Sequence, residues 1–114
     1  MSEDVGADAE SLVRTYYRAL DEHEYETLES VLAPSFVQHR PDRTFDDRAS
    51  FVRFMREDRP EPNTRHELDE CIVDGERAAV QGRLVRTDGR RLLAFTDFFI
   101  VEDGAISRLE TYTR

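Results

Sequence analysis

The stretch from Arg91 to Val101 reads Arg-Leu-Leu-Ala-Phe-Thr-Asp-Phe-Phe-Ile-Val, with the two-residue alternation of a β-strand. One face carries Leu93, Phe95, Asp97, Phe99 and Val101, and the other carries Leu92, Ala94, Phe98 and Ile100. Because both faces are apolar, both need cover, and helices of the same chain can shield only one. We therefore predict that the outer sheet face is covered by a second copy in a homodimer. The alternative is a sheet that curls over itself.

Three Asp-Gly pairs place this strand in a meander. They lie at residues 74–75, 88–89 and 103–104, each between runs of β-type residues. Asp-Gly tolerates the positive φ that a hairpin turn requires. The sequence therefore predicts four antiparallel strands, at about residues 65–74, 77–87, 91–101 and 105–113.

An amphipathic pattern precedes the meander. Over residues 8–22 the apolar positions form one helical stripe, made of Ala9, Leu12, Val13, Tyr16 and Leu20. A shorter helix is predicted from Tyr25 to Pro34, and a brief strand over residues 35–39. A third helix, capped by Asp46 or Asp47, is predicted to end at the proline-rich stretch 59–63.

Helices followed by a meander predict an α+β fold, with three N-terminal helices packed on one face of an antiparallel sheet. At 114 residues the chain is long enough for one core. We expect residues 8–114 to form a single domain and residues 1–7 to be a disordered segment.

The composition limits the partners and the compartment. The chain has 25 acids, 16 basic residues that are all arginine, and a net charge of −9. No segment is strongly basic, which argues against nucleic acid, and no apolar run is long enough for a membrane span. A single cysteine fits a reducing cytoplasm. The acidic surface predicts adaptation to high salt, although a GC-rich genome alone would explain the absence of lysine.

Asp97 breaks the pattern of its strand, because it shares a face with Phe95 and Phe99. A carboxyl group there loses hydration, and pKa-shifted acids cluster at functional sites. The alternative is a structural aspartate, either paired with an arginine such as Arg83 or Arg108 or capping a bulge. His39 ends the short strand and could face a cavity, and Tyr16 carries a hydroxyl that needs a partner inside. The three histidines lack metal-ligand spacing, so we expect no metal.

The stretches 12–20, 28–39 and 97–106 resemble the SnoaL-like branch of the nuclear transport factor 2-like superfamily. This resemblance implies a strongly curved sheet that forms a cone-shaped pocket for a small hydrophobic ligand, without a cofactor. It implies that Asp97 is the strand aspartate of cyclases and isomerases, and that Tyr16 is the oxyanion tyrosine. His39 then stands where the isomerases carry their catalytic base.

Together these observations predict a cofactor-independent isomerase, cyclase or hydratase that acts on a small hydrophobic carbonyl compound. Asp97 or His39 would transfer the proton, and Tyr16 would stabilise the enolate oxygen. Five aromatic residues are predicted to line the pocket: Phe36, Phe51, Phe54, Phe95 and Phe99. The alternative is a module of the same fold that binds a small molecule or a protein without catalysis, or one whose hollow is filled by phenylalanines.

Overall fold

A computed structural model describes residues 8–114. The predicted disordered segment, residues 1–7, lies outside the described residues. Three helices come first: α1 (Ala9–Asp21), α2 (Tyr25–Val31) and α3 (Arg48–Arg53), the last continuing into a π-helical turn (Phe54–Asp58). The strands are β1 (Leu32–His39), β2 (Thr44–Phe45), β3 (Thr64–Asp74), β4 (Arg77–Arg86), β5 (Arg91–Glu102) and β6 (Ala105–Thr113). The helices pack on one face of the sheet, so the predicted α+β class is confirmed.

The sheet has six strands in the order β2-β1-β6-β5-β4-β3. The four predicted strands of the meander pair antiparallel as expected, but β1 lies parallel to β6. The prediction of a purely antiparallel sheet is therefore wrong at this one pair. β1 leaves α2 without a linker and fills the open edge of β6, which would otherwise expose unpaired backbone groups.

β1 also begins earlier than predicted, at Leu32 rather than Ser35. Its pairing with β6 shifts in register between Leu32 and Val37, and the exposed Pro34 lies in that irregular part. A proline, which has no amide hydrogen to donate, is tolerated at such an irregularity. Pro34 thus follows the end of α2 without ending the strand.

A bulge in β3 decides which side chains of this strand face inward. From Asp74↔Arg77 to Glu70↔Gln81 the pairing is regular, and it shifts by one residue between Leu68 and Glu70. Gly82 lies opposite this bulge, where a Cβ atom would clash with the Glu67 carbonyl oxygen. Only glycine admits so close an approach of the two strands.

The hydrophobic core lies between the helices and the inner sheet face. Its aromatic centre is formed by Tyr16, Phe36, Phe51 and Phe99. The Tyr16 and Phe99 rings meet edge to face with centroids 5.4 Å apart, and those of Phe36 and Phe51 lie 5.0 Å apart. No helix among residues 8–114 is long and apolar enough to cross a membrane.

Candidate functional site

A cavity of about 280 Å³ opens between α1, the π-helical turn and the inner face of the sheet. Its apolar wall includes Leu20, Phe54, Met55, Leu84, Leu93 and Phe95. The polar residues that reach it from the fold interior are Tyr16, Gln38, Thr64, His66, Asp97 and Thr111. At the more exposed rim the lining also includes Arg40, Arg59, Pro60, Glu61 and Leu92. The cavity therefore combines an apolar wall with a small set of converging polar groups, as small-molecule sites do.

Asp97 lies in the middle of β5 with only 5% of its surface exposed. Its Oδ2 accepts a hydrogen bond from the Tyr17 hydroxyl at 2.6 Å, and its Oδ1 accepts one from the Thr111 hydroxyl at 2.6 Å. Burial raises the pKa of the Asp97 carboxyl above its ordinary value, and the two hydrogen bonds oppose that shift only in part. Asp97 is thus a carboxyl group held in place by hydroxyls, with no arginine partner among the described residues.

Tyr16 precedes Tyr17 in α1, and the surroundings of its hydroxyl differ. The side chain is 3% exposed and lines the cavity, and no described residue forms a hydrogen bond with its hydroxyl. Burial, reinforced by the nearby Asp97 carboxyl, raises the pKa of Tyr16 well above its ordinary value. The phenol therefore stays neutral at physiological pH and can donate a hydrogen bond to a molecule in the cavity.

A chain of hydrogen bonds connects β1 to Asp97. Gln38 Nε2 donates to Thr111 Oγ1 at 2.8 Å, and Thr111 in turn donates to Asp97. The Gln38 Oε1 atom is buried and has no hydrogen-bond partner among the described residues. An unpaired acceptor at this depth is an exception among buried polar groups, and it costs free energy of folding.

The structure does not bring His39 to the cavity. Its ring is half-buried, and Nδ1 lies 3.3 Å from Thr44 Oγ1 of β2. Because side chains alternate along β1, the inward position belongs to Gln38. The buried Phe36, two residues earlier, was a signal in the sequence that Gln38 faces inward.

Two of the five predicted aromatic lining residues, Phe54 and Phe95, reach the cavity. Phe36, Phe51 and Phe99 are fully buried in the core beneath it. Phe51 packs against Phe36 and Tyr16, and Phe99 packs against Tyr16, so the three rings support the cavity floor without lining it.

His66, which no pattern in the sequence singles out, also lines the cavity. Its Nδ1 lies 2.7 Å from Asp21 Oδ1, and its backbone N–H also donates to that carboxylate, at 3.1 and 3.0 Å to the two oxygens. Its ring packs beside Tyr17, with centroids 5.1 Å apart. The inward position of Tyr17 could have been predicted from the sequence, because Tyr17 follows the buried Val13 by one helical turn.

Residues 8–114 contain no group of three or more histidine, cysteine, aspartate or glutamate side chains placed to hold a metal ion. The functional groups that line the cavity are carboxyls, a phenol, an imidazole, an amide, hydroxyls and two guanidinium groups.

The model of the SnoaL-like domain matches residues 13–109, which is most of the chain. The chain belongs to the SnoaL-like domain family. No curated protein matches its sequence significantly. The family assignment agrees with the resemblance that the sequence itself carried.

Solved structures support the assignment of this SnoaL-like domain. A proposed ketosteroid isomerase from Kribbella flavida superimposes with a TM-score of 0.83 at 25% identity, over 97% of this chain and 82% of that one. A proposed polyketide cyclase from Sinorhizobium meliloti gives 0.74 at 24% identity, over 89% and 93%. A nuclear transport factor 2-like protein of unknown function from Cytophaga hutchinsonii gives 0.82 at 15% identity, over 100% and 95%. These likenesses confirm the nuclear transport factor 2-like fold.

Proposed function

We propose that this SnoaL-like domain is a cofactor-independent acid/base enzyme that acts on a small, mostly apolar carbonyl compound. The observation that carries the proposal is that the buried Asp97 carboxyl and the Tyr16 hydroxyl line the same apolar cavity. A cavity of about 280 Å³ suits a compact ring system or a short acyl compound.

In this proposal the carbonyl oxygen of the substrate accepts a hydrogen bond from Tyr16. The raised pKa of Tyr16 keeps the phenol protonated, so it stabilises an enolate oxygen without transferring its own proton. Burial shifts the pKa of the Asp97 carboxyl in the direction of neutral pH. A group whose pKa lies near the working pH donates and accepts a proton with similar ease. The apolar wall excludes water and strengthens both interactions.

Thr111 and Tyr17 position the Asp97 carboxyl in this scheme. Each hydroxyl donates a hydrogen bond of 2.6 Å to one oxygen of the carboxyl. Together the two bonds fix the orientation of the carboxyl plane in the cavity wall. A group held in this way loses little freedom when a substrate binds. The similarity to a proposed ketosteroid isomerase at 25% identity also favours proton transfer next to a carbonyl.

The test is exchange of carbon-bound hydrogen. Small cyclic and open-chain ketones and enones are incubated with the protein in D₂O, and loss of the proton next to the carbonyl is followed by NMR. We expect exchange by the wild type, and a loss of about 10² to 10⁴ in rate for Asp97→Asn or Tyr16→Phe. Asp74→Asn and Tyr112→Phe, at exposed positions of the sheet, serve as matched controls.

The alternative is a binding module that uses the same cavity without catalysis. It predicts that the ketones bind, seen as shifts of cavity resonances, while exchange stays at the buffer rate in the wild type. Full exchange activity in Asp97→Asn would also contradict the proposed role of this residue.

A further inference from the structure

The Asp21 carboxylate holds His66 by two kinds of contact. It accepts from the backbone N–H of His66 and lies 2.7 Å from the ring Nδ1. The Asp21 and His66 side chains are 20% and 14% exposed, which makes them the most sheltered pair of an acidic and a basic side chain among residues 8–114. Since a carboxylate only accepts, Nδ1 must carry a hydrogen, and in the neutral imidazole Nε2 then has the lone pair.

The ring lines the cavity beside Asp97 and Tyr16. No described residue forms a hydrogen bond with Nε2. The ring is flanked by Tyr17 and Phe95, with centroids 5.1 and 5.5 Å away, so its orientation is fixed by packing as well as by Asp21. A molecule in the cavity is therefore the natural partner of Nε2.

The bulge in β3 is what turns this imidazole inward. On the far side of the bulge His66 pairs with Leu84, which in turn pairs with Leu93, and both leucines line the cavity. Without the extra residue, alternation from the inward Cys71–Val80 row would point His66 to the outer face.

We propose that His66 is the general base of this site and that Asp21 is the residue that positions it. The inference rests on the proposed function and deepens it, because it supplies a proton acceptor distinct from Asp97. His66 Nε2 would take a proton from carbon while Asp97 and Tyr16 act on the oxygen. A site with base and acid on different groups suits reactions that change carbon and oxygen together, such as cyclisation or loss of water.

The competing explanation is structural: the pair would merely fasten the end of α1 to the start of β3. His66→Asn separates the two explanations. The asparagine amide can take the place of Nδ1 and keep the hydrogen bond to Asp21, but it has no counterpart of Nε2. His23→Asn is the matched control, because His23 is exposed and its φ of 59° suits asparagine.

The probe is 5-nitrobenzisoxazole, an apolar bicyclic compound that opens when a base removes its one acidic C–H proton. That proton goes to Nε2, the C–H electron pair forms the third bond of a nitrile, and the N–O bond breaks to leave a phenolate. We expect the wild type to open the ring faster than free imidazole at equal concentration. His66→Asn should lose about 10² or more of that rate, and His23→Asn should lose none.

Asp21→Asn tests the positioning role by a spectroscopic signature. The oxygen of the introduced amide still accepts from the His66 backbone N–H, so the amide hydrogens face Nδ1 and force the hydrogen of the ring onto Nε2. We expect ¹⁵N NMR to show the Nδ1–H tautomer in the wild type and the Nε2–H tautomer in Asp21→Asn, with a matching loss of ring opening.

A wild type no faster than free imidazole, or a His66→Asn variant as fast as the wild type, would overturn the proposal. In either case ketone exchange that depends on Asp97 would leave the proposed function standing with Asp97 as the base. If His66→Asn and Asp21→Asn both lose thermal stability but open the ring at the wild-type rate, the Asp21–His66 pair only stabilises the fold.

Discussion

Tyr16 and Tyr17 are adjacent in α1, but their hydroxyls have different roles. The Tyr17 hydroxyl stabilises the fold, and the Tyr16 hydroxyl is free to bind a ligand. Tyr17 donates to Asp97, while Tyr16 has no partner among the described residues. We expect Tyr17→Phe to lower the free energy of unfolding by about 1–3 kcal/mol, because it leaves a buried carboxyl oxygen without a donor. Tyr16→Phe should change it by less than about 0.5 kcal/mol. Urea unfolding of the two variants checks this, and an equal loss in both would contradict it.

At Asp97 the raised pKa makes stability depend on pH with a definite sign. The folded state holds the proton up to a higher pH than the unfolded chain does, so stability falls as pH rises from the ordinary aspartate value to the folded pKa. Each pH unit between the unfolded and the folded pKa of Asp97 lowers the free energy of unfolding by about 1.4 kcal/mol. The asparagine of Asp97→Asn does not titrate. The free energy of unfolding of this variant should therefore rise relative to that of the wild type as pH increases above about 4, the ordinary aspartate pKa. Urea unfolding of both proteins from acid to neutral pH measures the difference, and a constant difference would refute the shift.

At the scale of elements, Gly82 and the bulge opposite it control what β3 presents to the cavity. A Cβ at this position would clash with the Glu67 carbonyl oxygen and would lie 3.0 Å from the Phe95 ring. We expect Gly82→Ala to destabilise the domain by about 1–3 kcal/mol and to displace His66. Gln81→Ala, at the neighbouring exposed position, is the control. Thermal unfolding and the His66 NMR signals report the two effects, and equal stability of the variants would contradict the prediction.

A second irregularity, between Ile100 and Val101, sets which residue of β6 lies opposite Asp97. Counting back from the Glu102↔Ala105 pair at the Asp103-Gly104 turn would place Glu110 there. The shift of one residue replaces that carboxylate by Thr111, whose hydroxyl donates to Asp97. The bulge thus avoids two buried carboxyl groups side by side and supplies a donor instead.

At the scale of the whole molecule, the outer sheet face carries an apolar row across three strands. Ile72, Ala79 and Phe98 lie in register on β3, β4 and β5, and Ile72 is 61% exposed. We expect a homodimer through this face, with a light-scattering mass of twice 13.3 kDa. Ile72→Arg should give a monomer, and Ser30→Arg, on α2 at the helical side of the sheet, should not. A wild-type mass near that of one chain would contradict the prediction.

The charge of the whole chain makes a separate prediction. At a net charge of −9 the carboxylates repel one another in dilute buffer, and salt screens that repulsion. We expect the melting temperature to rise between dilute buffer and molar KCl. An unchanged melting temperature would reject adaptation to high salt.

The sequence alone determined the architecture, because helix and strand periods and Asp-Gly turns are local properties of the chain. It also determined that Asp97 and Tyr16 face inward, since each belongs to an apolar stripe that has to be buried. Register and strand direction depend on contacts between distant segments. The parallel β1–β6 pair and the two bulges were therefore decided only in the folded molecule. A bulge of one residue reverses the face of every side chain beyond it, and that is why the structure alone brings His66 and Thr111 to the cavity.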